Sequence, residues 1–139
     1  MRILVVDDSL NWREAVCSTL RQHRDLIVIC ESSDGLDAVL KSEELQPDLI
    51  LLDIGLPKLN GLEAARQIRK VAPCSRILFL SSYDYPELLC EALNIGARGF
   101  VVKSRAACDL LSAVRAVLRD EQFVSSVFLP ADPAKPTPA

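Results

Sequence analysis

Five short apolar runs govern what this chain can become: residues 3–6, 26–30, 49–52, 76–80 and 99–102. Their apolar residues follow one another without alternating, which is the pattern of strands covered on both faces, as in parallel sheets. Segments of helical period lie between them. Trp12, Ala15, Val16, Thr19 and Leu20 recur at i, i+3, i+4, i+7 and i+8, as do Leu110, Ala113, Val114, Val117 and Leu118. Each set predicts an amphipathic helix with one buried face. Less regular stretches predict helices over 36–44, 61–72 and 87–95. Asn60 with Glu63 forms a capping pair before the third helix. Pro73 marks that helix's end, and Gly96 is a stop for the fourth.

A β-α unit repeated five times, joined by right-handed crossovers, predicts an open parallel sheet with helices on both faces. The natural form is a flavodoxin-like (βα)5 three-layer sandwich with strand order 2-1-3-4-5. Sites in such sheets lie at the carboxyl ends of the strands where the order switches, here strands 1 and 3. The predicted domain is 1–122. Residues 123–139 read as a linker or disordered tail, because the last ten, PADPAKPTPA, hold four prolines and no large apolar side chain.

Composition narrows the class of function. Sixteen Lys and Arg against nineteen Asp and Glu leave a formal charge of −3 over 139 residues. Nucleic-acid affinity comes largely from Lys and Arg meeting phosphates, so this domain is a poor DNA binder by itself. No segment approaches the ~20 apolar residues of a membrane span. The start MRILVVDDS lacks the form of a signal peptide, since carboxylates follow a very short apolar run. The five cysteines, Cys17, Cys30, Cys74, Cys90 and Cys108, are spread without a CxxC pair. They are read as small core hydrophobes of a chain kept in a reducing cytoplasm. The single histidine, His23, cannot build a His-rich metal centre alone.

The chemistry gathers at the strand tips. Strand 1 ends in Asp7 and Asp8, strand 3 in Asp53, strand 4 in Ser81 and strand 5 in Lys103. Three carboxylates converging in a partly buried pocket repel one another, and a divalent cation with oxygen ligands relieves that repulsion. Mg²⁺ suits the site because it takes few carboxylates, keeps waters and shares a phosphate. Asp53 can attack phosphorus to give an aspartyl phosphate. Lys103 then neutralises phosphoryl charge, and the Ser81 hydroxyl donates to a phosphoryl oxygen. Each residue also has an ordinary reading: a turn or cap for Asp7-Asp8, a solvated lysine, a loop hydroxyl. Phe100 by itself reads as a core aromatic, and Trp12 as packing within or at the edge of the first helix.

Taken together, MRILVVDDS, LLDIGLPKLNG, ILFLSS and GFVVKS resemble the receiver domains of bacterial two-component response regulators. The likeness runs from about residue 1 to residue 120. The stretch from GARGFVVKS through DLLSAVRAVLRDEQFVS is similar to the NarL/LuxR subgroup. The resemblance implies Asp53 as phosphoacceptor, with Asp7, Asp8 and the Gly55 carbonyl joining it around Mg²⁺. It implies Lys103 as the phosphoryl-contacting lysine, Ser81 as the hydroxyl switch and Phe100 as the switch aromatic. Pro57 and Gly61 match the loop after the acceptor strand. The implied partner is a sensor histidine kinase, with a possible homodimer. DNA would be met only through an output domain outside this chain. Tyr83, two residues after Ser81, is expected to obstruct attacking water and slow loss of the phosphoryl group.

Where many receivers have Pro after the strand 5 lysine, this chain has Ser104, which bears on loop geometry. A stand-alone receiver acting by protein–protein contact is one alternative. An aspartate-nucleophile phosphatase of the haloacid dehalogenase class is another. That class uses a DxD pair whose second Asp is the acid/base, and here Gly55 stands in its place. The expectation is therefore a phosphoacceptor and not an enzyme.

Overall fold

The computed structural model describes residues 1–128. Its elements run β1 (Arg2–Val6), α1 (Leu10–Arg21), β2 (Ile27–Ser32), α2 (Gly35–Leu45), β3 (Leu49–Asp53), α3 (Gly61–Val71), β4 (Arg76–Ser81), α4 (Pro86–Ile95), β5 (Gly99–Val102), α5 (Ala106–Leu118) and β6 (Phe123–Val124). The sheet order is β2-β1-β3-β4-β5-β6 and every pairing is parallel.

Side chains alternate across a strand, so each central strand feeds two cores. Ile3, Val5, Leu49, Leu51, Leu78, Leu80 and Val101 face one way and pack on α1 and α5 through Val16, Leu20, Leu110 and Val114. Leu4, Val6, Ile50, Leu52, Phe79 and Phe100 face the other way, onto the layer that contributes Ala38, Ala65, Ile68 and Ala92 from α2, α3 and α4. Each fully buried aliphatic or aromatic side chain contributes roughly 1.5–3 kcal/mol, so this double core fixes the height of every strand tip. Helix ends follow their sequence signals. Asn60 Oδ1 accepts from Glu63 N at 3.0 Å, and Gly96 closes α4 at φ 108°.

Three expectations need correction. The sheet has six strands, not five: Phe123–Val124 pairs with β5, as Gly99↔Phe123 and Phe100↔Val124. The linker therefore does not begin at 123. Ser125 is fully buried and its hydroxyl accepts from Val102 N at 3.0 Å. The Pro-rich stretch predicted as a tail lies outside the described residues. Second, β2 is an edge strand and is not covered on both faces; Ile27 is 53% exposed. Third, the cysteines are not all core residues. Cys17 is buried, its thiol pushed up to about 11 mainly by desolvation. Cys74, Cys90 and Cys108 are exposed. Cys108 shows why: it lies two residues before Leu110, off the buried face of α5. Among the described residues no helix is long and apolar enough to cross a membrane.

Candidate functional site

β1 runs out on one side of the sheet to β2, and β3 returns on the other, so a crevice opens above the tips of β1 and β3. The residues singled out from the sequence meet there. Asp8, Asp53, Gly55, Ser81, Tyr83 and Lys103, together with Ser9, Trp12 and Ser82, line one cleft of about 300 Å³, and Asp7 lies buried beside it against Lys103.

Asp53 is the last residue of β3 and is buried. α3 starts close behind it because Gly61 has no side chain: a Cβ there would stand 2.1 Å from the Asp53 carbonyl oxygen. Gly61 N also donates to Ile54 O at 2.8 Å, which ties the intervening loop down. Asp7 follows β1 and is buried; its Oδ1 accepts from Ser9 N at 2.9 Å. Asp8 is exposed at the rim. One carboxylate oxygen from each of Asp7, Asp8 and Asp53 falls within 4.8 Å of the others.

Lys103, in the 3-10 turn that follows β5, is the cation of the cleft. Its Nζ lies 2.8 Å from Asp7 Oδ2 and 3.6 Å from Asp53 Oδ2. The close approach to Asp7 is off the hydrogen-bonding direction, and Asp7 Oδ2 remains buried without a hydrogen bond. Three carboxylates against one ammonium leave a formal charge of −2 in the cleft. Burial first, and then the Asp7 carboxylate, raise the Asp53 carboxyl from its usual 3.8 to about 6, against the lowering pull of Lys103 and the Gly55 amide.

Ser81 ends β4 fully buried, with its Oγ accepting from Tyr83 N at 3.0 Å. Tyr83 is 51% exposed at the rim and stacks on Tyr85 at 5.5 Å between centroids. Phe100 stands apart from the cleft, fully buried among Phe79 at 6.4 Å and Phe128 at 5.4 Å. Sequence reasoning missed Trp12 and Ser9 as cleft residues. It also missed Phe128, which meets Phe100 edge-on from a segment assigned to the linker.

Residues 3–115 match the response regulator receiver domain. The chain belongs to the response-regulator receiver family. This receiver is 35% identical over 130 residues to the response regulator protein VraR of Staphylococcus aureus, covering 94% of this chain and 60% of that protein. It is 31% identical to the transcriptional regulatory protein YxjL of Bacillus subtilis, across 91% of this chain and 58% of that one. The receiver thus spans about three fifths of the length of these curated relatives. Among solved structures, a LuxR-family two-component response regulator from Aurantimonas sp. SI85-9A1 superimposes with TM-score 0.86 at 30% identity, over 91% of this chain and 90% of that chain. The receiver domain of the putative response regulator NarL from Mycobacterium tuberculosis gives TM-score 0.78 at 30% identity, over 85% and 95%.

Proposed function

We propose that this receiver accepts a phosphoryl group on Asp53 from a phosphohistidine of a sensor kinase, in a Mg²⁺-dependent transfer, and thereby switches an output. The observation that carries this reading is the convergence of three carboxylates and Lys103 around a buried strand-end aspartate.

The site suits a divalent cation on two counts. Asp7 Oδ2 is buried and hydrogen-bonded to nothing, and the residual charge of −2 is that of one such ion's complement. An all-oxygen donor set selects a hard ion. Asp7, Asp8, Asp53 and the Gly55 carbonyl would hold it. When bound, Mg²⁺ supplies positive charge to carboxylate and phosphoryl oxygens that otherwise repel. The protein does the rest. A lone pair of Asp53 Oδ forms the new O–P bond while the P–N bond of the phosphohistidine breaks. The electron pair leaves on imidazole nitrogen, which takes a proton from water. Lys103 stabilises the charge of the transferred group, and the Ser81 hydroxyl turns from accepting Tyr83 N to donating to a phosphoryl oxygen. Ser81 moves and Phe100 follows as the second half of the switch.

The acceptor is consumed once per cycle, so the domain acts as a signal carrier and not as an enzyme. The phosphatase alternative has no second acid, since Gly55 stands two residues after Asp53. The likeness to a DNA-binding response regulator of the LuxR family supports a DNA-binding output. Intact-mass spectrometry after incubation with Mg²⁺ and acetyl phosphate tests the transfer. One added phosphoryl group, absent in Asp53→Asn and absent without Mg²⁺, is the expected result; uptake that persists in Asp53→Asn contradicts it.

A further inference from the structure

Trp12 packs against the edge of the core between the sheet and α1 and α5, and it also reaches the cleft. The residues of α1 that enter the core are Val16, Cys17 and Leu20. Trp12 sits on the helix's first turn, where Ser9 Oγ accepts from Trp12 N at 3.4 Å. It is only half-buried, and its ring borders the cleft beside Asp8 and Ser9. Lys103 Nζ lies 4.9 Å from the centre of that ring.

We propose that Trp12 is a positioning residue for phosphoryl transfer, its indole face holding the Lys103 ammonium over the cleft. The inference rests on the phosphoacceptor reading of Asp53. A lysine side chain is long and has several rotatable bonds, so its charge is useful only where something fixes it. Two carboxylates attract Nζ, Asp7 at 2.8 Å and Asp53 at 3.6 Å. Those alone would draw it down between them, and Asp53 changes its charge and shape when it is phosphorylated. The aromatic face does not change. It attracts a cation through the ring quadrupole, and Trp does so best among the aromatic side chains. Trp12 and Lys103 also line together, with Ala106 and Leu110, the groove between α1 and α5.

Two variants test this in the whole chain. Trp12→Phe keeps an aromatic face; Trp12→Leu keeps apolar bulk and removes the quadrupole. The first readout is the rate of Mg²⁺-dependent phosphoryl uptake from acetyl phosphate. The expected result is a loss of roughly two- to thirty-fold in Trp12→Leu, with Trp12→Phe closer to the wild type. The second readout is the proton shift of the Lys103 ε-methylene in ¹³C-lysine-labelled protein, assigned by its disappearance in Lys103→Arg. A ring-current upfield shift in the wild type, kept in Trp12→Phe and lost in Trp12→Leu, is expected. A general loss of stability would not produce that pattern. An unshifted Lys103 signal in the wild type, or a Trp12→Leu rate equal to the wild type's, overturns the proposal. Wild-type protein that takes up no phosphoryl group at all overturns the phosphoacceptor reading, and the role of Trp12 with it, even if the ring-current shift is intact. The two failures are therefore distinguishable.

Discussion

Asp53 and Lys103 divide the work of the cleft in a way set by their surroundings. Asp53 is buried beside a second carboxylate and so resists ionisation, while Lys103 offers its charge first to Asp7, at 2.8 Å against 3.6 Å to Asp53. Asp53, the proposed acceptor, is left the less neutralised of the two, which favours an incoming cation and electrophile there. Tyr83 lines the rim of the cleft that holds this carboxylate. Its amide already holds Ser81 Oγ at 3.0 Å, and its ring rests on Tyr85 at the rim. Tyr83→Ala is expected to speed loss of the phosphoryl group several-fold by admitting water, measured as the decay of the phosphorylated mass after removal of donor. An unchanged lifetime contradicts the role. At this scale the sequence was legible wherever a residue ended a strand. Asp7, Asp53, Ser81 and Lys103 follow apolar runs whose tips the fold brings together. Trp12 could not be found that way: a helix residue meets a strand tip only through the helix's rotation and tilt, and neither is written in local periodicity.

Elements show the same division. β5 was readable to the residue because Gly99–Val102 is a fully buried apolar run. β6 was not, because two residues are too few to show a period, and what orders them comes from elsewhere in the chain. Ser125 N donates to Phe100 O at 2.9 Å, Ser125 Oγ accepts from Val102 N at 3.0 Å, and it donates to Asp109 Oδ2 at 3.1 Å. One buried hydroxyl thus clamps β5 and α5 to the segment that follows β6. Ser125→Ala strands the Val102 amide and is expected to cost about 1–3 kcal/mol. A urea titration reads the loss; a midpoint equal to the wild type's would show the clamp to be idle. Since Phe128 packs edge-on against Phe100 at 5.4 Å, this segment also shares a surface with the proposed switch aromatic.

For the whole molecule, the cleft is a concentration of like charge that the double core must hold together. The Asp53 carboxyl titrates at about 6 in the folded chain, above its ordinary 3.8. Between those values the folded state binds the more protons. The stability associated with this group is therefore fully present below 3.8 and is lost as the pH rises through about 6. Asp53→Asn removes the repulsion. It is expected to unfold at higher urea than the wild type near neutral pH, by about 1–2 kcal/mol once the opening of the cleft to water is allowed for. The gain should shrink as pH falls through that window, and Mg²⁺ should narrow it from the other side by stabilising the wild type. A variant no more stable than the wild type at neutral pH would mean that the cleft bears no such strain.

The central claim concerns which oxygen takes the phosphoryl group, and borohydride reduction reads it directly. An acyl phosphate is reduced to the alcohol while free carboxylates are not, so the acceptor becomes homoserine and tandem mass spectrometry locates it. After treatment with acetyl phosphate and Mg²⁺, homoserine at position 53 and at neither 7 nor 8 is the predicted result. Reduction at Asp7 or Asp8, or at none of the three in protein that has gained a phosphoryl mass, would contradict the account.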